Sequence, residues 1–524
     1  MRAEFDTIVI GSGIAATLVV DRLLEANPLS SILVMEAGQR IASRDRRSWW
    51  DLVINGQTPY SWTYDDDKSA ELESISTGNT PWGFAQSRVR AYGGSTMHWG
   101  GWALRYKEED FNCRSRTGFG ADWPFDYETL EPWYALAEQM IGVGGDARDE
   151  GPRRSGEFPL PPFPFSANER EIAEAFEKSP DAIKAGHMPI ARYKRCMTTG
   201  TCKYCPIGSR YSAQDHMDAL LFNAAHRNLH LRTSCTVTRL LIQRNHACGV
   251  EFLDRETGQS GKALGENVIV CAGAYESAKL LLTSTSSEWP SGVGNRFDQV
   301  GRYVVTHLMI NVEGVQNKNP HKLFQEYDFP TLMSRSWDTP EQQRDGKFFI
   351  FTNRALPKIE FEKLMIEGKG REVIDKIASG ERKAGLSAFI EEFSEADNRL
   401  SLAPGTGKFG LPKMRVHFSR RSPSQFRQLI GKVQTRLEAY LESIGYNRLK
   451  TEPQNPRGDH TSGVCRMGQS PDISVTDENL AIHGFDNLFI CSNAVLPNAA
   501  AVNPTLTLAA LALRLGTRLG GGGT

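Results

Sequence analysis

Two clusters of residues in this chain have types and spacings that imply chemistry on their own. The first is GSGIAA, which follows the β-branched run DTIVI and opens an alanine- and leucine-rich stretch reaching Leu24. Strand, glycine turn and helix in that order aim backbone N–H groups at a pyrophosphate. Gly11 permits the tight turn, Gly13 lets the backbone approach the phosphates, and Ala16 stands where helix and strand pack closely. A second strand, SILVME, ends in Glu36, 23 residues after Gly13, where a carboxylate accepts both hydroxyls of an adenosine ribose. The pattern predicts dinucleotide binding, and Glu36 followed by Ala37 and Gly38 favours FAD over NAD. The second cluster is Cys196, Cys202 and Cys205, in the order C-x5-C-x2-C-P. Three thiolates form a ligand set whose softness restricts the metal to iron–sulfur or zinc, with His216 a possible fourth ligand for zinc. Thiols without metal, or one cystine, are the other reading of the same spacing.

The rest of the sequence describes what has to position these groups. A chain of 524 residues buries at least two cores. Lys and Arg total 61 against 62 Asp and Glu, so the net charge of −1 gives no basic face, and no nucleic-acid partner is expected. Hydrophobic residues at 40% and charged residues at 23% describe a folded chain. Apolar runs such as LTLAALAL reach about half of the roughly 18 residues a membrane helix needs, so no direct membrane span is expected. The opening MRAEFDTIVIGSG carries neither a basic leader nor a cleavage site, which predicts no export signal of its own and a cytoplasmic location, or a periplasmic one by co-export with a partner subunit. The six scattered cysteines, Cys113, Cys235, Cys248, Cys271, Cys465 and Cys491, read as buried thiols.

In the middle of the chain VGRYVVTHLMINVEGV from Val300, FFIFT, GLSAFIEEF, RLSLAP and KMRVHF read as strands between polar, glycine-rich connections. Between Pro423 and Gly445 the apolar residues Phe426, Leu429, Ile430, Val433, Leu437, Tyr440 and Leu441 recur at helical spacing. There is no internal repeat.

Four separated segments, in order, resemble the glucose-methanol-choline (GMC) oxidoreductases: GSGIAA with MEAG, RAYGGSTMHWGG, NLHLRTSCTVTRLL through VIVCAGAYESAKLLL, and HTSGVCRMG with NPTLTLAALAL. The resemblance implies an α/β architecture, with a doubly wound Rossmann-like FAD domain beside an α+β substrate domain on a mostly antiparallel sheet. It assigns 1–108, 196–300 and 455–524 to the FAD domain, with the cysteine-rich segment 196–216, and 109–195 and 301–454 to the substrate domain and its connections.

The resemblance also implies the site. His460 and Asn503, 43 residues apart, stand where the family keeps its active-site pair. Imidazole suits a base that takes a hydroxyl proton at neutral pH while hydride leaves the carbinol carbon for flavin N5. Asn503 then holds the substrate oxygen through its amide. Pro504 and Thr505 open a helix to Leu515 whose first amides face the reduced flavin. Arg90, Gly93, Gly94, Ser95 and Trp99, with Val237 and Ala272, line the cofactor. His98 stands in the register at which some members bond a histidine to the flavin, so the FAD is either covalent through His98 or packed against it. His307 and His417 have no paired context and read as structural.

Relatives in which a cysteine-rich insertion holds a [3Fe–4S] cluster imply a dehydrogenase of a sugar or glycoside, acting on a secondary carbinol, with C3 the best fit, and passing electrons through the cluster to a partner cytochrome, with a small accessory subunit. The alternative is an oxygen-using pyranose or glycoside oxidase. A non-catalytic flavin electron-transfer subunit is the reading of another class, and the His460/Asn503 pair argues against it. The segment Asn317 to Asp338 reads as a lid over the substrate.

Overall fold

The computed structural model describes residues 4–522 apart from 43–44, 47–59, 61–62, 64–71, 85–86, 193–203, 206–207, 318–328, 354–364, 366, 379–380, 408–409, 421–422, 454–455 and 457. Cys196 and Cys202 therefore lie outside the described residues, as does half of the expected lid, 318–328.

The strand Phe5–Ile10 is buried at four consecutive positions, Thr7 to Ile10, because both its faces are covered, the condition for a central parallel strand. It pairs in parallel with Ile32–Met35 on one side and with the end of Ser260–Val270 on the other. Leu229–Arg232 extends the sheet beyond Ile32–Met35, and Leu488–Ile490 joins beyond Val268 to Val270. The long strand Ser260–Val270 has two roles. Its first half pairs antiparallel with His246–Asp254, which pairs in turn with Cys235–Gln243, so a meander continues the parallel sheet. Helices Ile14–Ala26 and Thr505–Leu519 pack on each other, and the second runs one turn beyond the expected Leu515.

The second large sheet is antiparallel throughout. Its order is Asn447–Pro453, Leu308–Asn317, Glu381–Ile390, Phe348–Asn353, Leu332–Ser334 and Gly186–His187. Side chains alternate across it with period two. Leu308, Ile310 and Val312, with Leu386, Ala388 and Ile390, face the helix Pro423–Ser443, burying Val433, Leu437 and Leu441. Met309, Phe351 and Phe389 face the other way, into the core shared with the nucleotide sheet. The expected strand from Val300 begins only at Leu308, because Gly301 and Tyr303 take left-handed φ values of +89° and +66° that break the extended run. That leaves His307 at the mouth of the strand.

The segment 109–195, expected on the substrate side, lays helix Tyr127–Ile141 against Thr505–Leu519, and Tyr134 Oη lies 2.8 Å from Thr507 Oγ1. Five of the six scattered cysteines are buried; Cys248, on the meander surface, is half-buried. Among the described residues no helix is long and apolar enough to cross a membrane.

Between the antiparallel sheet and the nucleotide side lies a buried ionic cluster. Lys347 is fully buried, pairs with Asp110 and lies 3.1 Å from Asp338, which Arg335 also grips. Glu391 packs into the same cluster with neither carboxyl oxygen hydrogen-bonded among the described residues. Burial pushes its carboxyl up to about 8 against the pull of Lys347, with Asp110, Asp338 and Glu109 acting in the same direction as burial. The folded protein therefore holds a proton on Glu391 that the unfolded chain releases above about 4.5, so this group withdraws stability as pH rises toward about 8 and withdraws no more above it. For Glu391→Gln the melting temperature minus that of the parent is expected to widen from pH 5 to pH 8 and then level off. A difference that stays constant across that range contradicts a protonated Glu391.

Candidate active site

A cavity of about 1090 Å³ runs between the ends of the parallel strands and the inner face of the antiparallel sheet. That is the top of the range for a single ligand and leaves room for a dinucleotide with a substrate beyond it. At one end, Glu36 closes the strand Ile32–Met35. Its carboxylate accepts from Ser12 N at 3.1 Å, Ser12 Oγ at 2.7 Å and Gly38 N at 2.7 Å. A carboxylate has about four acceptor positions, so one remains toward the cavity. Burial raises the Glu36 carboxyl above its ordinary value while these bonds pull it down. Ser12 Oγ in turn accepts from Gly93 N at 3.1 Å, which ties the first glycine turn to the second.

The glycines are required by contact. A Cβ on Gly11, at φ +99°, would sit 2.6 Å from the Cys271 carbonyl oxygen, and one on Gly94 would sit 3.1 Å from Gly13 Cα. A Cβ on Gly13 would meet nothing within 4 Å, so the backbone there faces open space, as a pyrophosphate cradle must. Of the expected cofactor residues, Gly11, Gly13, Glu36, Arg90, Gly94 and Ser95 line the cavity, together with His98, Trp99, Val237, Ala272 and Thr505. Ala16 is buried in the helix–sheet contact, Gly93 turns the backbone at φ +93°, and Pro504 caps the last helix, so these three shape the wall without lining it. Arg90 is ion-paired with the buried Glu73.

At the other end the structure brings His460 and Asn503 together. His460 ends the 3₁₀ turn Gly458–His460, which has no room for a side chain at Gly458: a Cβ there would lie 2.4 Å from Tyr275 Oη. That hydroxyl accepts from Trp82 Nε1 at 2.7 Å and lies 3.0 Å from the Gly458 carbonyl and 2.7 Å from Thr461 Oγ1, fixing the turn to the helix Gly273–Thr283. Asn503 Nδ2 lies 3.3 Å from His460 Nε2, and Asn503 Oδ1 is buried with no hydrogen-bond partner among the described residues.

His307, expected to be structural, is part of this arrangement. Its Nε2 lies 2.6 Å from His460 Nδ1, and its ring stacks on Phe389 with centroids 4.2 Å apart. An amide donor at His460 Nε2 requires a lone pair there, so Nδ1 carries the proton and donates it to His307 Nε2. His307 thus holds His460 in the tautomer whose bare nitrogen faces Asn503. Its signal in the sequence was weak, since 153 residues separate the two rings. Asp459 is a further neighbour, 3.9 Å from His460 Nε2.

Cys205 is half-buried, five residues before Arg210. Arg210 donates to the carbonyls of Trp99 at 2.6 Å and of Thr96 and Met97 at 3.0 Å, so the end of the cysteine segment is clamped to the turn that carries His98. His216 cannot serve as a zinc ligand in this arrangement. Its Nδ1 lies 3.1 Å from Tyr211 Oη and its Nε2 lies 2.8 Å from Asp21, which occupies both nitrogens.

The GMC oxidoreductase N-terminal domain pattern matches residues 182–309 and the C-terminal one residues 394–512. The chain belongs to the GMC oxidoreductase family. It is 26% identical to 6'''-hydroxyparomomycin C oxidase of Streptomyces lividus over 97% of this chain and 90% of that one. It is 25% identical to the fructose dehydrogenase large subunit of Gluconobacter japonicus over 97% and 96%. With C-glycoside 3-oxidase of Arthrobacter globiformis the identity is 22% over 98% and 94%. The crystal structure of pyridoxine 4-oxidase from Mesorbium loti shares the fold, with TM-score 0.63 and 19% identity over 99% of this chain and 100% of that one. GMC oxidoreductases bind FAD, and the glycine cradle, the Glu36 carboxylate and the orphaned Asn503 oxygen fit it.

Two outcomes follow from this geometry. His460→Ala is expected to keep its yellow flavin and lose on the order of 10²–10⁴-fold in kcat, with Asn503→Ala losing less, as steady-state turnover of the FAD-loaded variants will show. His307→Leu is expected to cost roughly ten- to a hundredfold in kcat by removing the ring nitrogen that accepts from His460 Nδ1–H. His307→Gln, whose amide oxygen can accept that proton, is expected to recover part of the loss; no recovery would make His307 a packing residue only.

Proposed function

We propose that this GMC oxidoreductase is an FAD-dependent dehydrogenase of a sugar or glycoside that oxidises a secondary hydroxyl, at C3, to a ketone. The observation that carries the reading is the His460–Asn503 pair, whose 3.3 Å contact opens to admit one hydroxyl: the substrate O–H donates to His460 Nε2 and its oxygen accepts from Asn503 Nδ2. Bound FAD supplies the hydride acceptor for the carbinol hydrogen. His460 takes the hydroxyl proton, and His307 accepts from the imidazolium that results. The N-terminus of the helix Thr505–Leu519, which borders the cavity at Thr505, favours negative charge near it. Names of relatives that refer to fructose, hydroxyparomomycin and C-glycosides support the substrate class, and the C-glycoside 3-oxidases support position 3.

In the same reading Cys196, Cys202 and Cys205 hold an iron–sulfur cluster, a [3Fe–4S] centre, that takes electrons one at a time to a partner cytochrome, with a small accessory subunit. The Arg210 clamp between the cysteine segment and the His98 turn supports a short route. The relative whose printed name is a large subunit supports an assembly. His98, 8% exposed at the end of the Gly94–Met97 turn, is the candidate for a covalent bond to the flavin. Other relatives are named oxidases, and this favours a second reading in which oxygen takes the electrons and peroxide is made.

The experiment is a panel of pyranosides assayed with an artificial electron acceptor and with oxygen, combined with iron analysis of anaerobically prepared protein. Dye reduction without peroxide, stoichiometric iron, and a Cys202→Ser variant whose flavin is still reduced by sugar but which passes no electrons to cytochrome are the expected results. Stoichiometric zinc, absent metal, or peroxide equal to sugar consumed turns the reading to the oxidase. Yellow colour that stays in an acid-precipitated pellet, and leaves it in His98→Ala, is the expected mark of the covalent bond; free FAD from the parent protein excludes it.

A further inference from the structure

The wall of the cavity opposite the glycine turns is the inner face of the antiparallel sheet, and it holds an unused polar pair. Asn311 lies directly across the ladder from Ser387, and Ser387 lies across from Phe351, so these three form one row over three strands. The next row on the same face is Met309, Phe389 and Phe349. Phe389 stacks on His307 and lies 5.8 Å, centroid to centroid, from His460, so that row marks the reacting end. Two residues of strand separate the rows, about 7 Å. The Asn311 row is therefore one six-membered ring with its substituents away from the base.

Ser387 Oγ donates to Asn311 Oδ1 at 2.6 Å. Among the described residues nothing accepts from the Asn311 amide nitrogen, and Asn311 and Ser387 both line the cavity. Reversing the amide would exchange which atom is bonded to Ser387 but would leave one amide atom directed to the cavity. The pair stands between the apolar row of Met309, Phe389 and Phe349 and the row of Glu313 and Gly385, so the wall turns polar with distance from His460. Trp102, its ring edge-on to Phe351 at 4.8 Å, gives the row an aromatic flank suited to the C–H face of a ring.

We propose that Asn311, held by Ser387, is a specificity-determining residue that hydrogen-bonds a second hydroxyl of the substrate, one ring away from the hydroxyl being oxidised, and so selects a ring-shaped polyol over a simple secondary alcohol. The proposal rests on the carbohydrate reading above and names the residue that enforces it. A buried polar site built for a hydroxyl discriminates against a ligand that lacks it, because the site is then left unpaired.

The test uses the FAD-loaded enzyme with a pyranoside that it turns over, the set of singly deoxygenated analogues, and cyclohexanol as an alcohol without a second hydroxyl. Asn311→Leu is expected to raise KM for the pyranoside roughly ten- to a hundredfold with kcat changed by no more than a few fold. Its kinetics on cyclohexanol should match the parent. One deoxy analogue should lose the same factor with the parent enzyme and lose nothing further with the variant. The inhibition constant of a pyranoside with fluorine in place of the reacting hydroxyl should rise by that factor too, a binding readout independent of turnover. Ser387→Ala, which removes only the hydroxyl that orients the amide, should raise KM less and covers the case in which Asn311→Leu does not fold. Equal KM in parent and variants on a sugar the parent oxidises overturns the anchor and leaves the carbohydrate reading standing. A parent that turns over cyclohexanol and no polyol overturns both.

Discussion

The backbone of Gly11 rests against the carbonyl of Cys271, and nothing larger than hydrogen fits between them. That contact joins the end of Phe5–Ile10 to the end of Ser260–Val270, two strands that pair from Gly265 onward but whose chains then diverge into separate helices. Everything that shapes the cofactor end is referred to it. The helix Ile14–Ala26 starts there, the turn at Gly94 closes down on Gly13, and Ser12 links Gly93 to Glu36. The helix Gly273–Thr283, leaving the same point, carries Tyr275 to the turn that presents His460. A single backbone approach thus sets the distance between the glycine cradle and His460.

The cofactor end was legible in the sequence because its determinants are local. A strand, a glycine turn and a helix within about twenty residues have a fixed geometry, and the acidic residue that follows is reached by one crossover. His460 and Asn503 were legible through the resemblance of their surrounding motifs. His307 was not, since nothing in VVTHLMI separates a histidine at a strand mouth from one inside it until the left-handed backbone at Gly301 and Tyr303 is seen to delay the strand to Leu308. Asn311 and Ser387 were hidden for a related reason. Period-two alternation identifies two faces but not what each will cover, and only the pairing of Leu308–Asn317 with Glu381–Ile390 brings the two polar residues opposite one another. His216 shows the converse error: proximity in sequence to the cysteines suggested a ligand, whereas the fold engages both its nitrogens with Asp21 and Tyr211.

The ionic cluster around Lys347 is the costly part of the design. Three charged side chains, Lys347, Asp110 and Asp338, are almost wholly removed from water, and their mutual attraction has to offset several kcal/mol of desolvation per ion. Their location explains the expense. Asp110 belongs to the segment that holds Asn498, whose amide bonds the Ala121 and Asp110 carbonyls at 2.7 and 3.3 Å, and Asn498 begins the loop that leads to Asn503. The cluster therefore registers the antiparallel sheet against the loop bearing the amide of the active-site pair.

The antiparallel sheet divides its labour by face. Leu308, Ile310, Leu386 and Ala388 hold the helix Pro423–Ser443, while the alternate positions Asn311 and Ser387 face an open chamber and fasten nothing in the core. His460 and Asn503 are borne by other segments, anchored through Tyr275 and Asn498. The two sets meet at His307, which precedes Leu308–Asn317, stacks on Phe389 and bonds His460. A lineage built on this scaffold can exchange single residues of the chamber wall and change its diet without first acquiring a stabilising compensation, which gives descendants of one oxidoreductase an open path to divergent substrates while the same imidazole stays in place.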